Sequence, residues 1–326
     1  MKVLVVGYGS MGKRRIRLLQ KIIDNASFIC VDKNPTRLMQ STEEGFKGYE
    51  NLDQAISENP DLAFVCTSPG RHAEIILKLV SAKINVFTEL NLVDRDYDLI
   101  LARARENKVA VFMSSTMLYD KRIEAIDKMV KEHKKPVTYI YHVGQYLPDW
   151  HPWESYKDFF AGKRETNGTR EICAIQLPWL INTFGKVDKI SSVSQRCTDL
   201  EIDFNDSMVV SLKHQNGNIG VFVADIVSRK ATTHLEIIGE EMHLIWGGHN
   251  DDLVLYDLQA KVLKPIKTYD SFEQIKGYSD NIIENRYADE IQDFFNMVYK
   301  KAKPRYSLED DKYTLSIINE IERQEE

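Results

Sequence analysis

Two periodicities alternate along the first 120 residues. Short, continuous apolar runs at 2–6, 27–31, 62–66, 85–87 and 109–113 read as strands buried on both faces. Between them, apolar residues recur every three or four positions over 11–24, 35–41, 51–57, 71–82 and 94–106, which predicts helices. A further short strand is expected near Gly48–Tyr49, and a helix over 120–133, ending before Pro136, leads out of this region. Such alternation predicts an α/β fold with a doubly wound parallel sheet.

The pattern changes after residue 136. VTYIYHVG (137–144) is a strand, the segment QYLPDWHPWESY is polar and aromatic, and GTREICAIQLPWLINTFG is helical as far as Gly185, with Pro178 inside it. The runs KISSVSQRC, DSMVVSLKH, GNIGVFVADIV, THLEIIGEE and MHLIWGG then follow one another, with the turns HQNGN and GEE suggesting hairpins. A second domain with a large, mostly antiparallel sheet is expected. Helices over 284–301 and 307–324 close the chain, the last opened by a capping box of Ser307 and Asp310. The domain boundary is expected at residue 120, giving domains of 1–120 and 121–326.

Composition adds exclusions. A formal charge of −6 gives no electrostatic reason to bind nucleic acid or an anionic membrane surface. No apolar stretch approaches the roughly 20 residues that span a bilayer. Cys30, Cys66, Cys173 and Cys197 lie far apart without CxxC spacing, which argues against a disulfide framework or a zinc site, and no other metal site is expected. The expected setting is a reducing cytoplasm.

Local chemistry is densest at the amino terminus. KVLVVGYGSMG places Gly7, Gly9 and Gly12 at G-x-G-x-x-G spacing between a strand and a helix. The glycines serve a tight turn, close backbone approach to a pyrophosphate, and helix–strand packing, and the helix start that includes Ser10 and Met11 offers N–H groups to phosphate. The second strand ends in Asp32, 20 residues past Gly12, where a carboxylate accepts from both ribose hydroxyls of NAD. Asp32 would repel a 2′-phosphate, whereas Lys33 and Arg37 could pair with one, so NAD is the expected cofactor and NADP stays open. The run Lys13-Arg14-Arg15 reads as a solvated helix face.

The chain resembles the Gfo/Idh/MocA family of sugar and inositol oxidoreductases. The glycine loop, the stretch FVCTSPGRHAEIILKLVSAKINVFTE, the helix carrying Tyr287, Glu290, Asp293, Phe294 and Phe295, and the entry Pro304…Ser307-Leu308-Glu309-Asp310 carry the resemblance. It implies a Rossmann domain followed by an α/β domain whose open sheet face joins copies into a homo-oligomer. It also implies cofactor contacts from Asp32, Arg37, Thr67, Ser68, His72 and Glu89.

Two departures stand out. Where the family has Glu-Lys-Pro, this chain has Glu89-Leu90-Asn91, and leucine transfers no proton. Where the family has D-x-G-x-H-x-x-D, the residues are Glu171, Cys173, Ile175 and Pro178, so the histidine is missing. A base within hydrogen-bond reach of a carbinol is still required for hydride transfer. His151 and Glu171 are therefore the catalytic candidates. His142, Trp150, Trp153, Lys163 and Arg170 are candidates for substrate contact, through aromatic platforms and cationic groups. The expected function is a nicotinamide-dependent oxidoreductase acting on a CH–OH group of a sugar derivative, with a sugar phosphate or nucleotide sugar as candidate substrates. The alternative is a non-catalytic nucleotide-binding regulator or complex subunit of the same fold.

Overall fold

The computed structural model describes residues 1–151, 154–249, 252–275 and 282–324. The chain forms two units, Met1–Ser115 with Tyr287–Lys312, and Thr116–Arg286 with Tyr313–Glu326.

In the first unit, β1 (Lys2–Val6), α1 (Ser10–Ile22), β2 (Ser27–Val31), α2 (Pro35–Glu43), β3 (Lys47–Tyr49), α3 (Leu52–Ser57), β4 (Leu62–Val65), α4 (His72–Ser81), β5 (Asn85–Thr88), α5 (Tyr97–Asn107) and β6 (Val111–Met113) follow in order. Their strands make one parallel six-stranded sheet in the order β3-β2-β1-β4-β5-β6. This is the doubly wound arrangement, with strand order reversing between β1 and β4, where such folds open a crevice at the strands' carboxyl ends. The β1 and β4 residues Val3–Val6 and Leu62–Val65 are buried, as their unbroken apolar runs require.

The first unit also takes residues from the end of the chain. On the later helix α8 (Glu284–Lys300), Phe294 stands 5.6–5.7 Å from Phe64, Phe87 and Phe112, whose rings stack at 4.8 and 5.0 Å. An aromatic cluster on the sheet thus draws 287–312 back, which a single boundary at residue 120 does not describe.

The second unit contains α6 (Lys121–Glu132), β7 (Thr138–Gly144), α7 (Gly168–Phe184), β8 (Val187–Gln195), β9 (Ser207–His214), β10 (Ile219–Asp225), β11 (Thr232–Gly239), β12 (Met242–Trp246), β13 (Val254–Asp257) and β14 (Val262–Pro265). α8 begins here, and the last helix, α9 (Leu308–Arg323), ends here. The eight strands run in the order β14-β13-β12-β11-β7-β10-β9-β8, antiparallel except where β7 lies parallel to β10. The β13–β14 hairpin lies beyond the expected strands, since LVLYDLQAKVLKP lacks a strict two-residue alternation.

One face of this sheet buries Val210, Phe222, Tyr141, Leu235 and Trp246. α7 packs there: the Trp179 ring meets Tyr141 edge-on at 5.1 Å, Phe184 stacks on Tyr139 at 4.1 Å, and the Tyr141 hydroxyl donates to Gln176 Oε1 at 2.8 Å. The opposite face leaves Ile140, Val193, Val209, Ile219 and Ile238 exposed. No helix among the described residues is long and apolar enough to cross a membrane.

Candidate functional site

The glycine loop is built by close approaches. Gly7 adopts φ 102°, and a Cβ there would lie 2.6 Å from the Cys66 carbonyl oxygen, so no larger residue fits without strain. A Cβ on Gly12 would fall 2.0 Å from the Gly7 carbonyl oxygen, which is how α1 seats against the loop. A Cβ on Gly9 would meet only the Arg37 guanidinium, at 3.6 Å, so that flank can admit a ligand beneath Arg37. No side chain caps α1 at Gly9 and its first turn carries no acidic residue, leaving the positive helix end to an anion. Gly7, Gly9, Ser10, Met11 and Gly12, expected to cradle a pyrophosphate, all lie on this loop and helix start.

Asp32 lies at the end of β2, its carboxylate accepting from the Tyr8 and Asn34 amides, both at 2.8 Å. These bonds fix its orientation at the edge of the loop. The Thr67 hydroxyl oxygen is buried without a hydrogen-bond partner, an open polar contact for a bound group. His72 Nε2 lies 2.7 Å from the Thr67 carbonyl oxygen, and Nδ1 faces Asn91 Oδ1 in a short contact. Burial pushes the His72 imidazole below its usual range, so the ring is neutral. The Gly9 flank, the uncapped helix end and the unsatisfied Thr67 hydroxyl fit a dinucleotide diphosphate.

One sequence expectation fails in this unit. Arg14 and Arg15 do not form a solvated face; they are 3% and 0% exposed. The Arg15 guanidinium binds both oxygens of Glu89 (2.6 and 3.0 Å) and Glu290 Oε2 (2.6 Å) and lies over the Phe87 ring. Ser114 Oγ and the Ser115 amide donate to the other Glu290 oxygen, at 2.9 and 2.7 Å. Burial opposes the charge on Arg15, but Glu89 and Glu290 outweigh it and hold the guanidinium above its ordinary range. The Glu89 carboxylate, expected to touch cofactor, holds Arg15 through both oxygens. Sequence pattern could not show this triad, because 275 positions separate Arg15 from Glu290.

In the second unit, Asn167 caps α7 by accepting from the Arg170 amide at 2.7 Å. Glu171 follows in the first turn. The residue retains partial exposure, yet its Oε2 is buried with no hydrogen-bond partner. Burial pushes its carboxyl up to about 8. Gly168, one turn earlier on the same face, is close-packed: a Cβ there would meet Ile226 Cγ2 at 2.9 Å and Trp150 Cη2 at 3.4 Å. Trp150 is fixed in turn by its indole N–H, which donates to the Gln145 carbonyl at 3.0 Å. The structure thus brings Trp150 to the α7 turn that carries Glu171.

The other candidates are placed differently. His151 Nδ1 lies 2.6 Å from Glu154 Oε1, with its ring 4.1 Å from Phe159. Arg170 turns to α9, pairing with Glu322 and donating to Asn319 Oδ1 at 2.7 Å, so its charge is spoken for within the fold. Lys163 is exposed and donates to the Lys157 carbonyl. His142 projects from the sheet face opposite α7, where Nε2 meets Asp225 Oδ2 at 2.6 Å. That face follows from strand alternation, since Tyr141 points inward. Trp153 lies outside the described residues.

Comparison with known proteins agrees with this geometry. Residues 1–115 match the Gfo/Idh/MocA family, described as oxidoreductases with an NAD-binding Rossmann fold. Over those residues the chain is similar to a Gfo/Idh/MocA NAD-binding domain. Separately, the chain is 26% identical to myo-inositol 2-dehydrogenase of Thermotoga maritima over 136 residues, 40% of this chain, so the match spans less than half (41%) of that relative's length. Solved structures share the whole fold. An oxidoreductase from Agrobacterium radiobacter, in complex with NAD+, L-tartaric acid and magnesium, superimposes with TM-score 0.83 at 13% identity over 98% of this chain and 94% of that one. The WlbA dehydrogenase from Chromobacterium violaceum, in complex with NADH and UDP-GlcNAcA, gives 0.79 at 16% identity over 99% and 93%.

Proposed function

We propose that the chain is an NAD-dependent oxidoreductase acting on a CH–OH group of a sugar derivative, with Glu171 carrying the proton. The observation that bears the reading is the buried Oε2 of Glu171, which has no hydrogen-bond partner, at the position where the family resemblance puts an acid. Bound NAD(H) supplies hydride exchange at its nicotinamide ring. Gly7, Gly9 and Gly12 with the α1 terminus hold its diphosphate, and Asp32 accepts from its ribose hydroxyls. Solved relatives with a nucleotide sugar bound, and the inositol dehydrogenase match, support the substrate class.

A carboxyl with its midpoint near 8 is protonated at neutral pH, so Glu171 acts there as a general acid toward a carbonyl oxygen. Above that midpoint it is a carboxylate and accepts the proton of a hydroxyl. Trp150, beside the same helical turn, offers an aromatic face to a sugar ring. His151, oriented by Glu154, is the second proton carrier of the reading. Glu171→Gln is expected to lower turnover about 10²-fold or more with NADH affinity unchanged. Unchanged turnover in that variant overturns the assignment.

Leu90 and Ile175, in place of the family's lysine and histidine, favour a second reading as a non-catalytic nucleotide-binding regulator. It predicts NADH binding without turnover across sugar phosphates and nucleotide sugars. The exposed apolar face of Ile140, Val193, Val209, Ile219 and Ile238 suits burial against a second copy. Sedimentation of Val209→Lys tests this: a shift to monomer is expected, and unchanged mass contradicts it.

A further inference from the structure

Behind the Thr67 carbonyl, the first unit holds an unbroken line of buried polar side chains. His72 Nε2 meets Thr67 O at 2.7 Å, and His72 Nδ1 meets Asn91 Oδ1 in a short contact, with the Thr88 hydroxyl 3.3 Å from the same nitrogen. The other end of that amide lies 2.7 Å from the Tyr97 hydroxyl, which lies 2.5 Å from Asp311 Oδ2. The Tyr306 hydroxyl closes the line, donating to Asp311 Oδ1 at 3.0 Å. His72, Asn91, Tyr97, Tyr306 and Asp311 are all buried. The line begins on the loop after β4 and ends on α9, and it passes through Asn91, where the family resemblance implies proline.

The contacts restrict where protons can sit. A carbonyl oxygen only accepts, so the Thr67 contact requires a proton on His72 Nε2. In a neutral ring, Nδ1 must then accept, which turns the Asn91 NH2 toward His72 and its oxygen toward Tyr97. The two ends of an amide are interchangeable in shape. Tyr97 then donates to Asn91, and its own oxygen must receive a proton from Asp311. Every contact is satisfied with no net charge, provided Asp311 is protonated. The orientation drawn in the structure, with Oδ1 toward His72 and Nδ2 toward Tyr97, keeps the Thr67 contact only with an imidazolium, at least one buried charge in place of none.

Removing one proton breaks a contact. An ionised Asp311 demands donors, so Tyr97 turns to it, Asn91 NH2 turns to Tyr97, and His72 must donate from Nδ1 to the Asn91 oxygen. Charge-assisted bonds are the stronger ones, so the bonds at Asp311 survive. The contact that fails is at the far end, where two lone pairs now face each other between His72 Nε2 and Thr67 O.

We propose that Asp311, Tyr97 and Asn91 are positioning residues that fix the His72 tautomer and thereby hold the Thr67 loop for coenzyme. The inference rests on the reading of that loop as a coenzyme contact. Burial pushes the Asp311 carboxyl up to about 7, with Tyr97 and Tyr306 pulling it down and the carboxylates of Asp94 and Asp310 pushing it further up. Nearby Lys312 is engaged by Asp98, and Arg105 by Glu309. At the other end, His72 faces Glu89, whose charge is met by Arg15.

The test is NADH fluorescence titration of the full chain from pH 5.5 to 9, in wild type and Asp311→Asn. Loss of one hydrogen bond at Thr67 predicts that wild-type affinity weakens about threefold to tenfold between pH 6 and 8.5. Asparagine still donates to Tyr97 and accepts from Tyr306, so Asp311→Asn should bind as the wild type does at low pH and lose the pH dependence. A flat wild-type profile, or a slope retained in Asp311→Asn, overturns the inference while leaving the coenzyme reading intact. Absence of NADH binding at every pH overturns the coenzyme reading instead.

Discussion

Glu171→Gln should stabilise the protein at alkaline pH. The Glu171 carboxyl has its midpoint at about 8 in the folded chain, against an ordinary value of 4.5. Folding therefore raises its proton affinity, and the stability it contributes is full below about pH 4.5 and lost as pH climbs toward 8. For complete shielding, the loss between pH 5 and 8 is about 3 kcal/mol, at 1.4 kcal/mol per unit. Since the residue keeps partial exposure, about half that is expected, roughly 1.5 kcal/mol. Glutamine has the same shape and no charge, so it escapes this loss. The assay is thermal melting of wild type and variant at pH 5, 6, 7 and 8. The melting temperature of the variant relative to wild type should rise by about 3–6 °C across that range. Taking the difference cancels Asp311, which titrates in both proteins. A difference that stays constant with pH refutes the claim that Glu171 is protonated in the folded state.

Two further predictions follow from the first unit. Asp32→Ser removes the carboxylate that would face a 2′-phosphate, so the NADH-over-NADPH preference, read by calorimetry, should fall by at least about tenfold; tighter NADPH binding by the unmodified protein contradicts the assignment. Arg15→Met leaves Glu89 and Glu290 buried without their cation, which should cost about 3–5 kcal/mol in urea unfolding. A cost below about 1 kcal/mol would mean that the guanidinium is not their main partner.

Those predictions draw on residues the sequence revealed unevenly. β1, α1 and β2 were legible because they combine an apolar run, a fixed glycine spacing and an amphipathic helix. The second sheet was legible as strands, but not as an order: nothing local announces that β7 lies parallel to β10 between antiparallel neighbours. Arg15 was misread because three cations in a row at 13–15 suggest solvent, and only the fold brings Glu89 and Glu290 to them. The start of α5 at Tyr97, rather than 94, reflects the irregular stretch ending at Asp96, whose φ of 60° interrupts any helix. Glu171 was found through resemblance, while its unsatisfied oxygen became visible only with its surroundings. Asn91 drew notice as a departure from the family pattern, but its place between His72 and Tyr97 depends on tertiary contacts.

The most direct test is isothermal titration of the full chain with NADH and, separately, NADPH. Saturable heat with NADH, tighter than with NADPH, is the predicted result. No heat from either coenzyme would contradict the account at its base.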